Sequence, residues 1–294
     1  MVATRRAWTV VGLIGSIHFV QHVFRILPPL LPVLALAFPY PLWQLGALVS
    51  LYFAGSGFGQ APMGVLADRY DRRLLVPPSV ATMGVGYLVF ALAPRLVDPD
   101  AVAAVVAGES VTVQFLLMGV GALVAGLGAS AIHPCGYPLV IANAADGREG
   151  VAFGTWGSAA KIGDAAAPMA IAVLVLVVSW SEVFLIFGMF GVLYGIALLP
   201  ALSTDVVETR PGDRRTGTDG SDDGSTVGGA TDAPDWRGDR RHYVYPFAAL
   251  FVFFVARALS EKGLKAFLPT FIATVYGYTL SVGNLHVPAE SLAD

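Results

Sequence analysis

Ten residues from Gly64 to Arg73, GVLADRYDRR, separate two apolar stretches that each reach the length of a membrane span. A soluble core helix has no need of so sharp a basic break between two such runs. A short, arginine-rich loop between membrane spans faces the cytoplasm under the positive-inside rule. This one segment therefore predicts a chain that threads a bilayer and fixes which way it does so.

Composition agrees. The chain is 55% hydrophobic and 13% charged, against about 25% charged residues in soluble domains. A helix needs roughly 20 apolar residues to cross the hydrocarbon. Seven spans are predicted, at 8–37, 43–67, 74–94, 112–143, 151–179, 182–202 and 244–276. Segment 95–111 carries Asp98, Pro99, Asp100 and Glu109, and reads as a loop with a short interfacial helix. The N-terminal run is too long for a signal-peptide core and reads as the first span.

Arginine placement sets the orientation. Arg5, Arg6, Arg69, Arg72, Arg73 and Arg148 lie in alternate loops, and six more arginines lie in 203–243. The opposite loops carry Arg95 alone. The N-terminus and the long segment are thus expected in the cytoplasm of a multi-pass protein of the cell membrane. Segment 203–243 is rich in Asp, Gly, Thr and Ser and lacks apolar periodicity, which predicts a disordered acidic linker. It divides a six-helix unit, 1–202, from a further unit, 244–294. A shift of 240 residues aligns Gln21, Arg25 and Pro29 with Glu261, Lys265 and Pro269. Parallel repeats of this kind relate transporter halves, so 244–294 reads as the first helix of an incomplete second half.

Polar residues inside the spans are the candidates for chemistry. His18, Gln21, His22 and Arg25 recur at i, i+3, i+4 and i+7, on one helix face. A charge at the bilayer centre costs at least about 2.5–3.5 kcal/mol, so such a stripe needs a cavity or protein partners. It reads either as a substrate or proton pathway or as an interhelical hydrogen-bond network. Lys161 and Asp164 are three apart and can neutralise each other; an unpaired Asp164 would be a proton carrier. Arg257, Glu261 and Lys265 share a face of the seventh span, as a pathway or as an intrahelical network. His133 stands beside Pro134 and can serve the cavity or satisfy backbone freed by the proline. Gly157 and Gly163 permit close helix contact, and Pro168 predicts a kink. No metal-ligand spacing, nucleophile elbow, phosphate loop or nucleic-acid-binding pattern is found. The residues therefore predict no enzyme, no metal and no cofactor, only the lipid bilayer, a small-molecule substrate and a coupling proton.

These features resemble the major facilitator superfamily. GVLADRYDRR is similar to its loop signature between the second and third helices, with Asp71 in place of a glycine. Asp tolerates turn geometry. The passage from Gly126 to Pro168 is similar to the fosmidomycin-resistance-type efflux branch, in which a His-Pro closes the fourth helix. The resemblance implies an all-α membrane fold and secondary transport, with proton-coupled efflux as antiport. It implies that Gly64, Asp68, Arg69, Arg72 and Arg73 form a cytoplasmic gate loop. Gly157, Gly163 and Pro168 would lie between the halves. The arginine of many drug antiporters falls near Ala122 here, and the acidic residue expected after the His-Pro is Cys135. Coupling would then pass through the first-span histidines, Asp164 or Glu261.

The superfamily usually has twelve helices, so the resemblance also implies a truncated product, a second polypeptide or a dimer that completes the fold. An inactive remnant or accessory subunit is the competing reading. A seven-helix retinal protein is a remote one, opposed by the cytoplasmic N-terminus and by a third span with no acidic counter-ion.

Overall fold

The computed structural model describes residues 2–202 and 207–210, scattered helical positions between 245 and 268, and short strands at 280–282 and 285–287. Glu261, Lys265 and almost all of the expected linker lie outside the described residues. Arg257 is helical and exposed.

Helices dominate the first 202 residues. They are α1 Val2–Val23, α2 Leu27–Ala37, α3 Leu42–Phe58, α4 Gln60–Arg69, α5 Val76–Leu96, α6 Val113–Ala129, α7 Ile132–Asn143, α8 Glu149–Leu174 and α9 Trp180–Ala201. Among the described residues, four helical stretches are long and apolar enough to cross a membrane: Ala7–Ala37, Arg72–Leu96, Val113–Asn143 and Trp180–Ala201. Neither α3–α4 nor α8 is among them. The first is divided at Gly59, and the second carries Lys161 and Asp164 among small residues.

Local sequence explains the breaks inside the long stretches. Pro28 and Pro29 open α2, where their missing N–H groups cost nothing. Pro28 has no N–H to return to the Phe24 carbonyl four residues back, and the helical run is interrupted at Arg25–Ile26. The carbonyl of Phe24, freed by that break, accepts a hydrogen bond from the Tyr87 hydroxyl of α5. Both residues are fully buried. Tyr87→Phe leaves that carbonyl without its donor, and we expect a loss of about 1–2 kcal/mol, read as a lower unfolding midpoint in detergent. Between α6 and α7 the chain turns at Ser130, whose hydroxyl donates to the Leu127 carbonyl at 2.6 Å.

In the bundle, α5 packs between α6 and α9, α3 lies against α6, and α1 lies against α8 and α7. Glycine lets the α5–α9 pair meet backbone to backbone. A Cβ added at Gly84 would sit 2.5 Å from the Gly188 carbonyl oxygen. The apolar core is aromatic at its centre, where Phe90 and Phe184 stack with centroids 4.3 Å apart.

Two segments differ from expectation. Residues 95–111 hold no interfacial helix. Val102–Val106 and Glu109–Thr112 pair as an antiparallel hairpin, β1–β2. Valines at 102, 105, 106 and 111 favour strand, and Ala107 and Gly108 both take positive φ, 52° and 85°, as a two-residue hairpin turn requires. Gln44 of α3 ties the hairpin down by donating to the Ser110 carbonyl at 2.9 Å. The second difference is at 207–210, inside the expected disordered linker. Val207 and Thr209 are buried. Glu208 exchanges hydrogen bonds with Asn143 at the end of α7, donating from its N–H at 2.8 Å and accepting at its carbonyl at 2.9 Å. Burial of Val207, the Asn143 pair and the Arg72 bonds to the Thr209 carbonyl hold residues that composition alone assigns to a linker.

α9 begins with a capping box: the Ser179 N–H donates to Glu182 at 2.7 Å, and the Glu182 N–H returns to the Ser179 hydroxyl. Ser179→Ala is expected to cost about 1 kcal/mol, measured as faster amide exchange in the first turn of α9.

Candidate polar site between the first and eighth helices

The polar stripe of α1 does not face empty space. It meets α8 and α7 and forms one connected cluster. His18 and Gln21 are 3% and 1% exposed, and His22 is 7% exposed. α8 supplies the partners because Gly163 lets it approach α1: a Cβ there would lie 2.7 Å from the Phe19 carbonyl and 2.8 Å from the His22 Cβ.

Each histidine is oriented by an oxygen. His18 Nδ1 lies 2.9 Å from the Trp156 carbonyl, which only accepts, so Nδ1 carries the proton. The His18 ring also stacks on the Trp156 indole, centroids 3.6 Å apart. His22 Nδ1 lies 2.7 Å from Asp164 Oδ1. Arg25 Nη2 lies 3.3 Å from the other nitrogen of His22, Nε2, and can only donate to it. His22 is thereby set as the neutral tautomer, with its proton on Nδ1.

Asp164 joins the elements. Its Oδ1 takes both His22 and Arg25 Nη1, the latter at 3.3 Å. Lys161 Nζ stands 3.9 Å from Oδ2 but is 81% exposed, whereas Asp164 is 35% and Arg25 25% exposed. The cluster therefore has a closed end at His18 and an open, charged end at Arg25 and Asp164. Sequence spacing placed Asp164 against Lys161. The shorter contacts run across to α1 instead, because Gly163 lets the two helices approach.

His133 of α7 enters the same cluster, with its ring centroid 5.2 Å from that of His18 and 6.4 Å from that of His22. Gln21 donates to the Ala129 carbonyl at 3.3 Å. Trp156 was not marked by sequence reasoning. The available signal was one aromatic inside the small-residue run GTWGSAA.

The loop residues take separate positions. Asp68 and Arg69 are exposed at the end of α4. Asp71 caps the following 3-10 turn by accepting from the Arg73 N–H at 2.9 Å, the turn role expected of Asp at this position. Arg72 turns inward: it is 7% exposed, and its N–H and Nη1 both donate to the Thr209 carbonyl, at 3.1 and 3.4 Å. Arg73 Nε donates to the Leu199 carbonyl at 3.0 Å. Gly64 and Gly157 face open space. Pro168 lies inside α8, which runs on through it.

A bundle of apolar helices, with the first and third long stretches broken and a buried polar cluster between helices, has the build of an integral membrane protein. The family model of the Major Facilitator Superfamily matches residues 13–290, and the chain belongs to that superfamily. A curated relative, the probable L-galactonate transporter of Escherichia coli (strain K12), is 28% identical over 153 residues, which are 52% of this chain and 30% of the relative. The crystal structure of a bacterial homologue of the human lysosomal transporter Spinster, inward-facing and unoccupied, aligns with a TM-score of 0.62 at 16% identity. That alignment covers 95% of this chain and 57% of the other. It shows a shared fold. The chain thus spans less than two thirds of the length of either protein.

Proposed function

We propose that the chain serves proton-coupled efflux of a small organic acid across the cytoplasmic membrane. It would do so as part of a multi-pass secondary transporter. The observation that carries the reading is the His22–Asp164–Arg25 cluster, which is closed at one end and open at the other. His22 Nε2 accepts from Arg25. A proton arriving at that nitrogen removes the acceptor, and the Arg25 contact breaks. Asp164 then faces an imidazolium and a guanidinium with one negative charge, so its hold on Arg25 through Nη1 weakens. Proton arrival is thereby converted into freedom for a partly exposed cation that can take a carboxylate.

The substrate class rests on Arg25 and on the relative named for L-galactonate, itself a carboxylate. The efflux direction rests on the likeness of Gly126–Pro168 to the fosmidomycin-resistance branch. Asp68 and Arg69, exposed beside the turn that Asp71 caps, would act in the gate, and Gly157 and Pro168 would lie between the two halves of the fold. Lys161 and Arg257, both exposed, would line the pathway with Glu261 and Lys265.

The test uses inside-out membrane vesicles containing the chain and labelled L-galactonate as first probe. Acidifying the lumen should drive probe accumulation and discharge the proton gradient together. Equal accumulation with and without the gradient would reject coupling.

A further inference from the structure

We propose that His18, His22 and His133 form a binding site for a divalent transition-metal ion of the zinc type. Their ligand nitrogens all lie within 4.8 Å of one another. Zinc–imidazole bonds of about 2.0–2.1 Å bring tetrahedral ligands to roughly 3.4 Å apart. Side-chain rotation of about an ångström therefore closes the site without moving a helix. The i, i+4 pair on α1 supplies two ligands from one face, and α7 supplies the third from across the contact.

Tautomers make the cluster more than a coincidence of rings. A metal-binding imidazole characteristically donates its other N–H to a carboxylate or a backbone carbonyl, which orients the ring and leaves the ligand nitrogen unprotonated. His18 does this with the Trp156 carbonyl and His22 with Asp164. The consequence is visible at His18: its Nε2 is buried with no hydrogen-bond partner among the described residues. A buried nitrogen lone pair without a donor is costly, and a metal ion satisfies it. At His22 the metal would replace the Arg25 Nη2 contact, while Arg25 keeps Asp164 through Nη1. Carboxylate and guanidinium offset each other, and the imidazoles are neutral ligands well suited to zinc and copper. Three protein ligands leave a fourth position, as in exchangeable rather than closed structural sites.

Zinc and a coupling proton would compete for the same His22 nitrogen, so the test reads metal binding directly rather than transport. Purified full chain, with any affinity tag removed, is titrated with Zn2+ against a chromophoric chelator. Cu2+-loaded protein is examined by electron paramagnetic resonance. One ion per chain is expected, with hyperfine structure from imidazole nitrogen. H18A, H22A and H133A should each weaken binding by more than about tenfold, and D164N by about 10–100-fold as an orienting partner. Variants at the other two histidines, H242A and H286A, should bind as the parent does. Zinc binding equal in the parent and in H18A/H22A/H133A overturns the site. If that triple variant does not fold, the parent decides alone: a copper spectrum without imidazole nitrogen hyperfine structure overturns it equally.

Discussion

Asp164→Asn should leave a folded chain that no longer couples probe movement to protons. Accumulation driven by an acid lumen is expected to fall to that of vesicles lacking the chain. Asparagine keeps the shape and can still accept from His22, but it carries no charge. Arg25 then has no carboxylate to hold it, and an imidazolium at His22 has no counter-charge. Removing one member of a fully buried pair costs about 3–5 kcal/mol. Asp164 is 35% exposed, so solvent screens it and we expect about 1–2 kcal/mol of lost stability. A loss of coupling with little loss of stability separates a functional carboxylate from a merely structural one. Lys161→Gln supplies the contrast. Lys161 is 81% exposed and 3.9 Å from Asp164, and its removal should leave coupling in place.

The second large effect concerns packing. Gly84→Leu is expected to prevent assembly of α5 on α9. Even the first atom of a side chain there would lie 2.5 Å from the Gly188 carbonyl oxygen and 2.6 Å from the Val192 nitrogen. Both are backbone atoms, so no rotamer change relieves the clash. Gly84→Ala should cost at least the upper part of the overpacking range, about 3 kcal/mol, seen as a lowered unfolding midpoint in detergent. Gly157→Ala is the control, because a Cβ there meets nothing within 4 Å. Alanine replaces glycine in a helix interior at a gain of up to about 1 kcal/mol. Opposite signs at two helical glycines would show that helix approach decides, rather than glycine content.

Much of this was legible in the sequence, for identifiable reasons. The apolar runs and their proline punctuation marked the helices, and the i, i+3, i+4, i+7 spacing placed His18, Gln21, His22 and Arg25 on one face. Spacing has no reach across helices. It paired Asp164 with its chain neighbour Lys161, whereas the shorter bonds go to His22 and Arg25 on α1. It did not show the three-histidine cluster, because the third imidazole comes from α7. The hairpin at 102–112 was hidden by its acidic flanks, though its valines carried the signal. Residues 207–210 were hidden by their neighbours: low-complexity composition on one side masked a buried Val207 and Thr209. Arg72 shows the same limit. Charge counting treats every loop arginine as solvated, while this one is buried and donates from Nη1 to the Thr209 carbonyl.

Coupling, gate and orientation all depend on one claim, that GVLADRYDRR faces the cytoplasm. A single cysteine at position 69, on an exposed residue, tests it with a membrane-impermeant maleimide in intact cells. The native Cys135 is fully buried. A second cysteine at position 98, exposed just after α5, reports the other side. The account predicts labelling at 98 in intact cells and at 69 only after the membrane is opened. Labelling at 69 from outside would contradict it.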